Sequence, residues 1–169
     1  MNVAHQRWWQ IFEVVFGVPF LLAIALQLAV PFWLPYGALA PVIIVAGVGL
    51  IILGVGLVIL ARRELRKHSQ PTDPGLPTSQ IVTTGVFSIS RNPLYLGGVC
   101  TLVGIALALN LAWAFVFLPL ALIACHYILI VPEEKYLEAE FGEEYRRYAA
   151  SVRRWIGRSR RIHREGGPP

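Results

Sequence analysis

The residues best suited to chemistry lie in two short polar motifs, one on each side of a long uncharged segment. The first motif reads Arg91-Asn92-Pro93-Leu94-Tyr95-Leu96-Gly97, and the second reads Glu133-Glu134-Lys135-Tyr136-Leu137. Arginine binds carboxylates in a fixed fork geometry, whereas a carboxylate pair can bind a cation or accept a proton. If folding brings the two motifs together, they would form a charged site of the kind found in enzymes.

The segment between the motifs determines whether they meet. Forty-one consecutive residues, Asn92 to Pro132, include no Asp, Glu, Lys or Arg. As one helix this run would measure roughly 60 Å, about twice the hydrocarbon thickness of a bilayer. We therefore predict a hairpin of two membrane helices, which returns both motifs to the same membrane surface. Glu133 and Glu134 would need a cationic partner at that depth, and Arg91 or Arg154 could supply it.

The composition supports a membrane protein independently of these motifs. The chain is 56% hydrophobic and 15% charged, against about 25% charged residues in an ordinary soluble domain. Two further uncharged spans, Phe16 to Leu34 and Gly37 to Ala61, are joined by a short turn at Pro35 and Tyr36. The second span carries small residues at spacings that allow helices to approach closely, namely Gly47, Gly49, Gly54 and Gly56.

The sequence thus predicts an all-α integral membrane protein with four transmembrane helices, the last two forming a hairpin. Residues 1–62 would be an N-terminal transmembrane hairpin, and residues 63–169 a core with a cytoplasmic loop, the third and fourth helices and a C-terminal segment. That segment is predicted to form an amphipathic helix, in which Gly142 could introduce a bend. Its apolar positions recur every three or four residues, at Leu137, Phe141, Tyr145, Tyr148, Val152 and Trp155.

The distribution of basic residues predicts the orientation. Arginine and lysine lie in the middle loop and in the tail, which includes Arg160, Arg161 and Arg164, whereas the two other turns carry no charge. By the positive-inside rule, both termini and the middle loop should face the cytoplasm, and the absence of eukaryotic targeting signals favours a prokaryotic inner membrane. The net charge of +5 then suits anionic lipid headgroups. Nucleic-acid binding is disfavoured, because no binding module accompanies the arginines.

Three residues inside the predicted spans are candidates for chemistry. Cys100 and Cys125 have no metal-ligand spacing, so we expect buried thiols and no metal site. His126 lies about two turns before the carboxylate pair, and a packed histidine is the simpler interpretation. Histidines in membrane helices nevertheless tend to face a bundle interior or a cavity.

The first motif also has a purely structural interpretation. Asn92 is a suitable N-cap and Pro93 a suitable first residue of the third span. Tyr95, one turn into the membrane, could be an interfacial anchor. Gly97 would permit a ligand or a neighbouring helix to approach closely.

The order of these motifs resembles the isoprenylcysteine carboxyl methyltransferase and phospholipid methyltransferase group of integral membrane enzymes. The resemblance covers roughly residues 85–157. It is carried by residues 90–97, the apolar hairpin, Glu133-Glu134-x-x-Leu137, and Phe141-Gly142-x-x-Tyr145-x-x-Tyr148-x-x-x-Val152-x-Arg154-Trp155. Two positions depart from the group, which often has His at the place of Asn92 and Pro at the place of Gly157.

The resemblance implies that S-adenosylmethionine is the methyl donor, bound at the cytoplasmic side between the last spans and the C-terminal segment. A lipophilic acceptor would enter sideways from the lipid bilayer. The catalytic residues implied are Arg91, Glu133, Glu134 and Arg154. The cofactor-binding residues implied are Arg91, Asn92, Pro93, Tyr95, Gly97, His126, Glu133, Glu134 and Tyr145.

Two other functions remain open at the level of sequence. One is a membrane-embedded, nicotinamide-dependent lipid or steroid reductase of similar layout, and the other is a non-catalytic four-span protein. The non-catalytic protein, such as a small transporter subunit or a scaffold, is disfavoured because the charged residues of the two motifs and Arg154 cluster at one face, with no ionisable residue placed mid-membrane as a transport path usually needs. The acceptor could be a prenylated cysteine carboxylate, a phospholipid amine, an isoprenoid or a small hydrophobic acid, and the oligomeric state is open.

Overall fold

The computed structural model describes residues 11–71 and 76–159. Across these ranges all named elements are helical, which confirms the all-α prediction. The α-helices are α1 (Phe12–Ala29), α2 (Ala40–Lys67), α3 (Pro93–Ala108), α4 (Ala112–Ala124), α5 (Val131–Phe141) and α6 (Glu143–Ser151). Both chain termini, with Arg160, Arg161 and Arg164, lie outside the described residues, so their predicted cytoplasmic location rests on sequence.

Within residues 11–71 and 76–159, three helical segments are long and apolar enough to cross a membrane: Phe12–Ala29, Gly37–Lys67 and Ala112–Phe141. The last of these joins α4 to α5 through a π-helical stretch, Cys125–Ile130. The apolar helix α3 has 16 residues, somewhat fewer than the roughly 20 that a span usually needs. The structure therefore has three full-length candidates and one shorter apolar helix where the sequence predicted four spans.

Close glycine contacts hold α2 against α3. A Cβ atom added to Gly97 would lie 2.7 Å from the carbonyl oxygen of Gly54, and one added to Gly104 would lie 2.6 Å from that of Gly47. Because no side chain separates the two backbones, the helices pack at a distance that only glycine allows. Two of the four predicted glycines serve this purpose, whereas Gly49 and Gly56 have no atom within 4 Å of an added Cβ.

The first helix packs mainly against α4 rather than against α2. Phe16 of α1 is 1% exposed and belongs to a core cluster with Cys125, Leu129 and Ile130. Cys125 is therefore the buried thiol predicted from sequence, while Cys100 is half-buried. Although α1 and α2 are joined by a short segment, each has a different main partner, and the bundle pairs α1 with α4 and α2 with α3.

The two uncharged turns meet at one end of the bundle. Asn110, which has a positive φ of 52°, accepts a hydrogen bond from the Leu34 amide through Oδ1 (2.9 Å) and donates one to the Leu34 carbonyl through Nδ2 (3.0 Å). The hydroxyl of Tyr36 donates to the Leu107 carbonyl at 3.1 Å. These bonds satisfy backbone groups in the two turns.

At the opposite end, helix boundaries differ from the sequence-based ones. The second helix continues to Lys67, six residues beyond the predicted end at Ala61, so the charged run after Ala61 is helical rather than loop. Gly142, with φ of 52°, separates α5 from α6. The predicted amphipathic segment thus consists of two helices and an extended end, because the helix stops at Ser151 before Trp155 is reached.

The α2–α3 contact predicts that substitutions at two nearby glycines of α2 have very different effects on stability. Gly54→Val should lower the free energy of unfolding by about 1–3 kcal/mol, because the new side chain meets the backbone of α3. Gly56→Val, on the same helix but facing open space, should change stability little. Thermal unfolding of both detergent-purified variants measures the difference, and equal destabilisation would contradict the packing described.

Candidate functional site

Residues 89–92, which lead into α3, lie beside residues 153–157 of the C-terminal segment. The amide of Arg91 donates to the Arg153 carbonyl at 3.2 Å, and the amide of Gly157 donates to the Ile89 carbonyl at 2.7 Å. These bonds tie together two segments that are far apart in sequence. Consequently the side chains of Arg91 and Arg154 project into the same region.

Asn92 occupies the N-cap position of α3 and Pro93 is its first residue, as predicted. The amide side chain of Asn92, however, makes no capping bond. It donates instead to the Arg154 carbonyl at 3.2 Å, and Asn92 is buried. Asn92 therefore anchors the C-terminal segment, and Pro93 is fully buried at the start of the helix.

Glu134 is the centre of a charged cluster that it forms with Arg91 and Arg154. Arg154 donates to both of its carboxylate oxygens, from Nε to Oε1 at 2.9 Å and from Nη2 to Oε2 at 2.6 Å. Arg91 Nη1 lies 3.0 Å from Oε1, and the Arg91 and Glu134 side chains are only 15% and 18% exposed. The hydrogen bonds to Glu134 raise the pKa of Arg154 above its ordinary value.

Glu133 has a different environment from its neighbour. The hydroxyl of Tyr95 donates to Glu133 Oε2 at 3.0 Å, which links the start of α3 to the start of α5. Tyr95 was expected either as an interfacial anchor or as part of a cofactor pocket. Its hydroxyl bonds to a carboxylate of the second motif, so the two motifs contact each other directly.

Two tyrosines of α6 lie beside the charged cluster and the segment that precedes it. Arg91 Nη1 donates to the Tyr145 hydroxyl at 3.1 Å, and the Tyr148 hydroxyl donates to the Phe87 carbonyl at 2.8 Å. Burial raises the pKa of both phenols, which keeps them neutral as hydrogen-bonding groups. Helix α6 is thereby fixed to the segment that precedes Arg91.

The π-helical stretch places His126 at the edge of the cluster, with its Nδ1 3.4 Å from Arg154 Nη1. Pro132 explains the distortion, because proline has no N–H for the Ile128 carbonyl and its ring would clash with that carbonyl in a regular α-helix. A wider turn just before Pro132 avoids the clash. π-Helical turns of this kind occur frequently at functional sites.

Two openings flank the cluster. A polar pocket of about 400 Å³ is lined by both arginines, Glu134 and Tyr145, among other residues. An apolar groove of about 520 Å³ lies between α3 and the π-helical stretch; its lining residues are Leu96, Val99, Leu122, Ile123, His126, Tyr127 and Trp155. Arg154 borders the pocket, whereas the adjacent Trp155 and the nearby His126 border the groove, so the two openings lie on different sides of Arg154.

Most of the residues singled out from sequence lie in the charged cluster or directly beside it. They are Arg91, Tyr95, His126, Glu133, Glu134, Tyr145 and Arg154. Gly97 is not among them, because it faces Gly54 in the α2–α3 contact. The sequence placed Trp155 among the apolar positions of the C-terminal segment but did not predict that it lines a groove. Among the described residues, no group of three or more His, Cys, Asp or Glu could hold a metal ion.

The anchoring role of Asn92 predicts a local effect. Asn92→Ala should speed amide hydrogen exchange in residues 153–157 about fivefold, because one hydrogen bond contributes about 1 kcal/mol. Asn110→Ala removes a comparable amide at the other end of the bundle and should leave exchange in residues 153–157 unchanged. Mass spectrometry of peptides from both variants makes the comparison, and equal exchange in the Asn92 variant and the parent would refute the role.

Comparison with known proteins gives the following matches. A family model described as phospholipid methyltransferase matches residues 42–144, more than half of the chain. An uncharacterized protein of Haemophilus influenzae is 47% identical over 47 residues, which make up 28% of this chain and 71% of that relative. No solved structure matches the chain.

Proposed function

Because the chain belongs to the phospholipid methyltransferase family, we propose that it transfers a methyl group from S-adenosylmethionine to a lipophilic acceptor in the membrane. Family membership makes it a membrane methyltransferase; the donor, the acceptor and the residue roles are our proposal. The observation that carries the proposal is the Arg91–Glu134–Arg154 cluster, which separates a polar pocket from an apolar groove.

The charges of the cluster suit the amino-acid end of the cofactor, which carries an ammonium and a carboxylate. Arg91 Nε is buried and has no hydrogen-bond partner among the described residues. A carboxylate in the polar pocket could accept from this atom and from Arg154. Glu133 precedes Glu134 along the chain and its Oε2 accepts from Tyr95, and we propose that its Oε1 accepts a hydrogen bond from the ammonium. The residues present therefore fit the cofactor.

The apolar groove suits the hydrophobic part of the acceptor. It lies between two helices of the membrane region, so a lipophilic molecule could enter it from the bilayer without crossing water. His126 and Trp155 lie where the groove reaches the charged cluster. An acceptor held there would present its polar end beside Arg154.

Bound S-adenosylmethionine supplies an electrophilic methyl group on a sulfonium. An acceptor atom held about 3–3.5 Å from that carbon and in line with the breaking bond reacts without covalent help from the protein. The main tasks of this chain are then positioning and exclusion of water. A carboxylate acceptor needs no base, whereas an amine acceptor must lose a proton, which Glu133 or Glu134 could accept.

The membrane arrangement that we propose has four spans, with α3 as the shortest. Helix α3 runs antiparallel to α2 along the glycine contact, so it crosses the bilayer together with that longer helix. The charged cluster and both termini would face the cytoplasm of a prokaryotic inner membrane, on the side where the basic residues concentrate. The cofactor would then be reached from the cytoplasm and the acceptor from the lipid.

Two substitutions test the cofactor site. Arg91→Ala and Glu134→Gln should each weaken binding of S-adenosylmethionine at least tenfold, because each removes a charged hydrogen-bonding group from a half-buried site. Glu144→Gln, on the exposed face of α6, should bind like the parent. Calorimetric titration of detergent-purified protein measures the affinities, with thermal unfolding as a check on folding. Parental affinity in both folded variants would exclude this site.

A further inference from the structure

The first turn of α1 lies outside the family match at residues 42–144, yet it contacts the proposed site. The ring of Phe12 stacks on Tyr95, with ring centroids 6.4 Å apart and an angle of 19° between the planes. Phe12 also stacks on Phe16 at 4.6 Å, and Phe16 is anchored in the core between α1 and α4. Tyr95 therefore packs against an aromatic stack whose other end, Phe16, lies in the core between α1 and α4.

A glycine in α3 makes room for this stack. Gly98 lies under the Phe12 ring, and a Cβ atom at Gly98 would overlap with it. The preceding residue, Gly97, faces Gly54 of α2 instead. The two consecutive glycines thus allow α1 and α2 to approach α3 from different sides, and the approach of α1 brings Phe12 against Tyr95.

The consequence concerns Glu133. Tyr95 donates to Glu133 Oε2 at 3.0 Å, so the position of the Tyr95 ring determines where that carboxylate is held. We propose that Phe12 is a positioning residue for the methyl-donor site: it fixes Tyr95, and Tyr95 orients Glu133 so that Oε1 faces the cofactor ammonium. This inference rests on the proposed function. It gives the first helix a role in the reaction besides crossing the membrane.

A double-mutant comparison tests the inference by calorimetric titration of S-adenosylmethionine into detergent-purified protein. Phe12→Ala should weaken binding about three- to tenfold, the range expected for loss of an aromatic pair. Tyr95→Phe should weaken it to a similar degree. Because Phe12 acts through the Tyr95 hydroxyl, the double variant should bind no more weakly than Tyr95→Phe alone. Phe12→Tyr, which keeps the ring, should bind like the parent.

Phe20→Ala is the matched control, since Phe20 is also an α1 aromatic residue but packs in the other apolar cluster, around Ala23 and Ala106. It should lower thermal stability without changing cofactor affinity. Phe12→Leu keeps most of the apolar volume but has no flat ring, so it should weaken cofactor binding to an intermediate degree. It replaces Phe12→Ala in the experiment if that variant does not fold. Parental affinity in Phe12→Ala and Phe12→Leu, or losses that add in the double variant, would overturn the inference. A parent that binds no S-adenosylmethionine would instead overturn the proposed function and this inference with it.

Discussion

The ion pairs between Glu134 and two arginines are the interaction on which the site depends. Arg91 precedes α3, Glu134 lies at the start of α5, and Arg154 follows α6, so one carboxylate joins three parts of the chain. Charges that are largely removed from water need partners close by. Burial of this cluster therefore requires the C-terminal segment to fold back beside residues 89–92, and this folding also forms the polar pocket and one wall of the groove.

The membrane hairpin and the charged cluster depend on each other. Helix α3 and the continuous helix Ala112–Phe141 return Tyr95 and Glu133 to the same end of the bundle. The glycine contact with α2 and the aromatic contact with α1 fix α3 from two sides. His126, in the π-helical stretch before Pro132, lies beside Arg154. Tyr95, Glu133 and Glu134 thus belong to helices whose positions are set by packing within the apolar region, whereas Arg91 and Arg154 lie in the segments that precede α3 and follow α6.

The sequence predicted the cluster because charged residues are rare in this chain, and a hairpin leaves few ways for them to pair. The sequence could not predict which atoms contact one another. Gly97 was predicted to line the cofactor pocket, but a glycine also allows two helix backbones to approach closely. In the structure Gly97 packs against the backbone of Gly54. The end of α2 was placed too early at Ala61, because hydropathy marks the end of the apolar region and a helix can continue into water. The anchoring bond of Asn92 to residue 154 depends on tertiary contacts that no local pattern encodes.

The central claim is that the charged cluster presents a methyl donor to a lipid-soluble acceptor held in the adjacent groove. The most direct test is to incubate the purified protein with native membrane lipids and S-adenosylmethionine labelled on its methyl group. We predict that label appears in the organic-soluble fraction with the parent protein and is lost with Glu134→Gln. If all label stays in the aqueous phase, or if Glu134→Gln transfers label as fast as the parent, the account is contradicted.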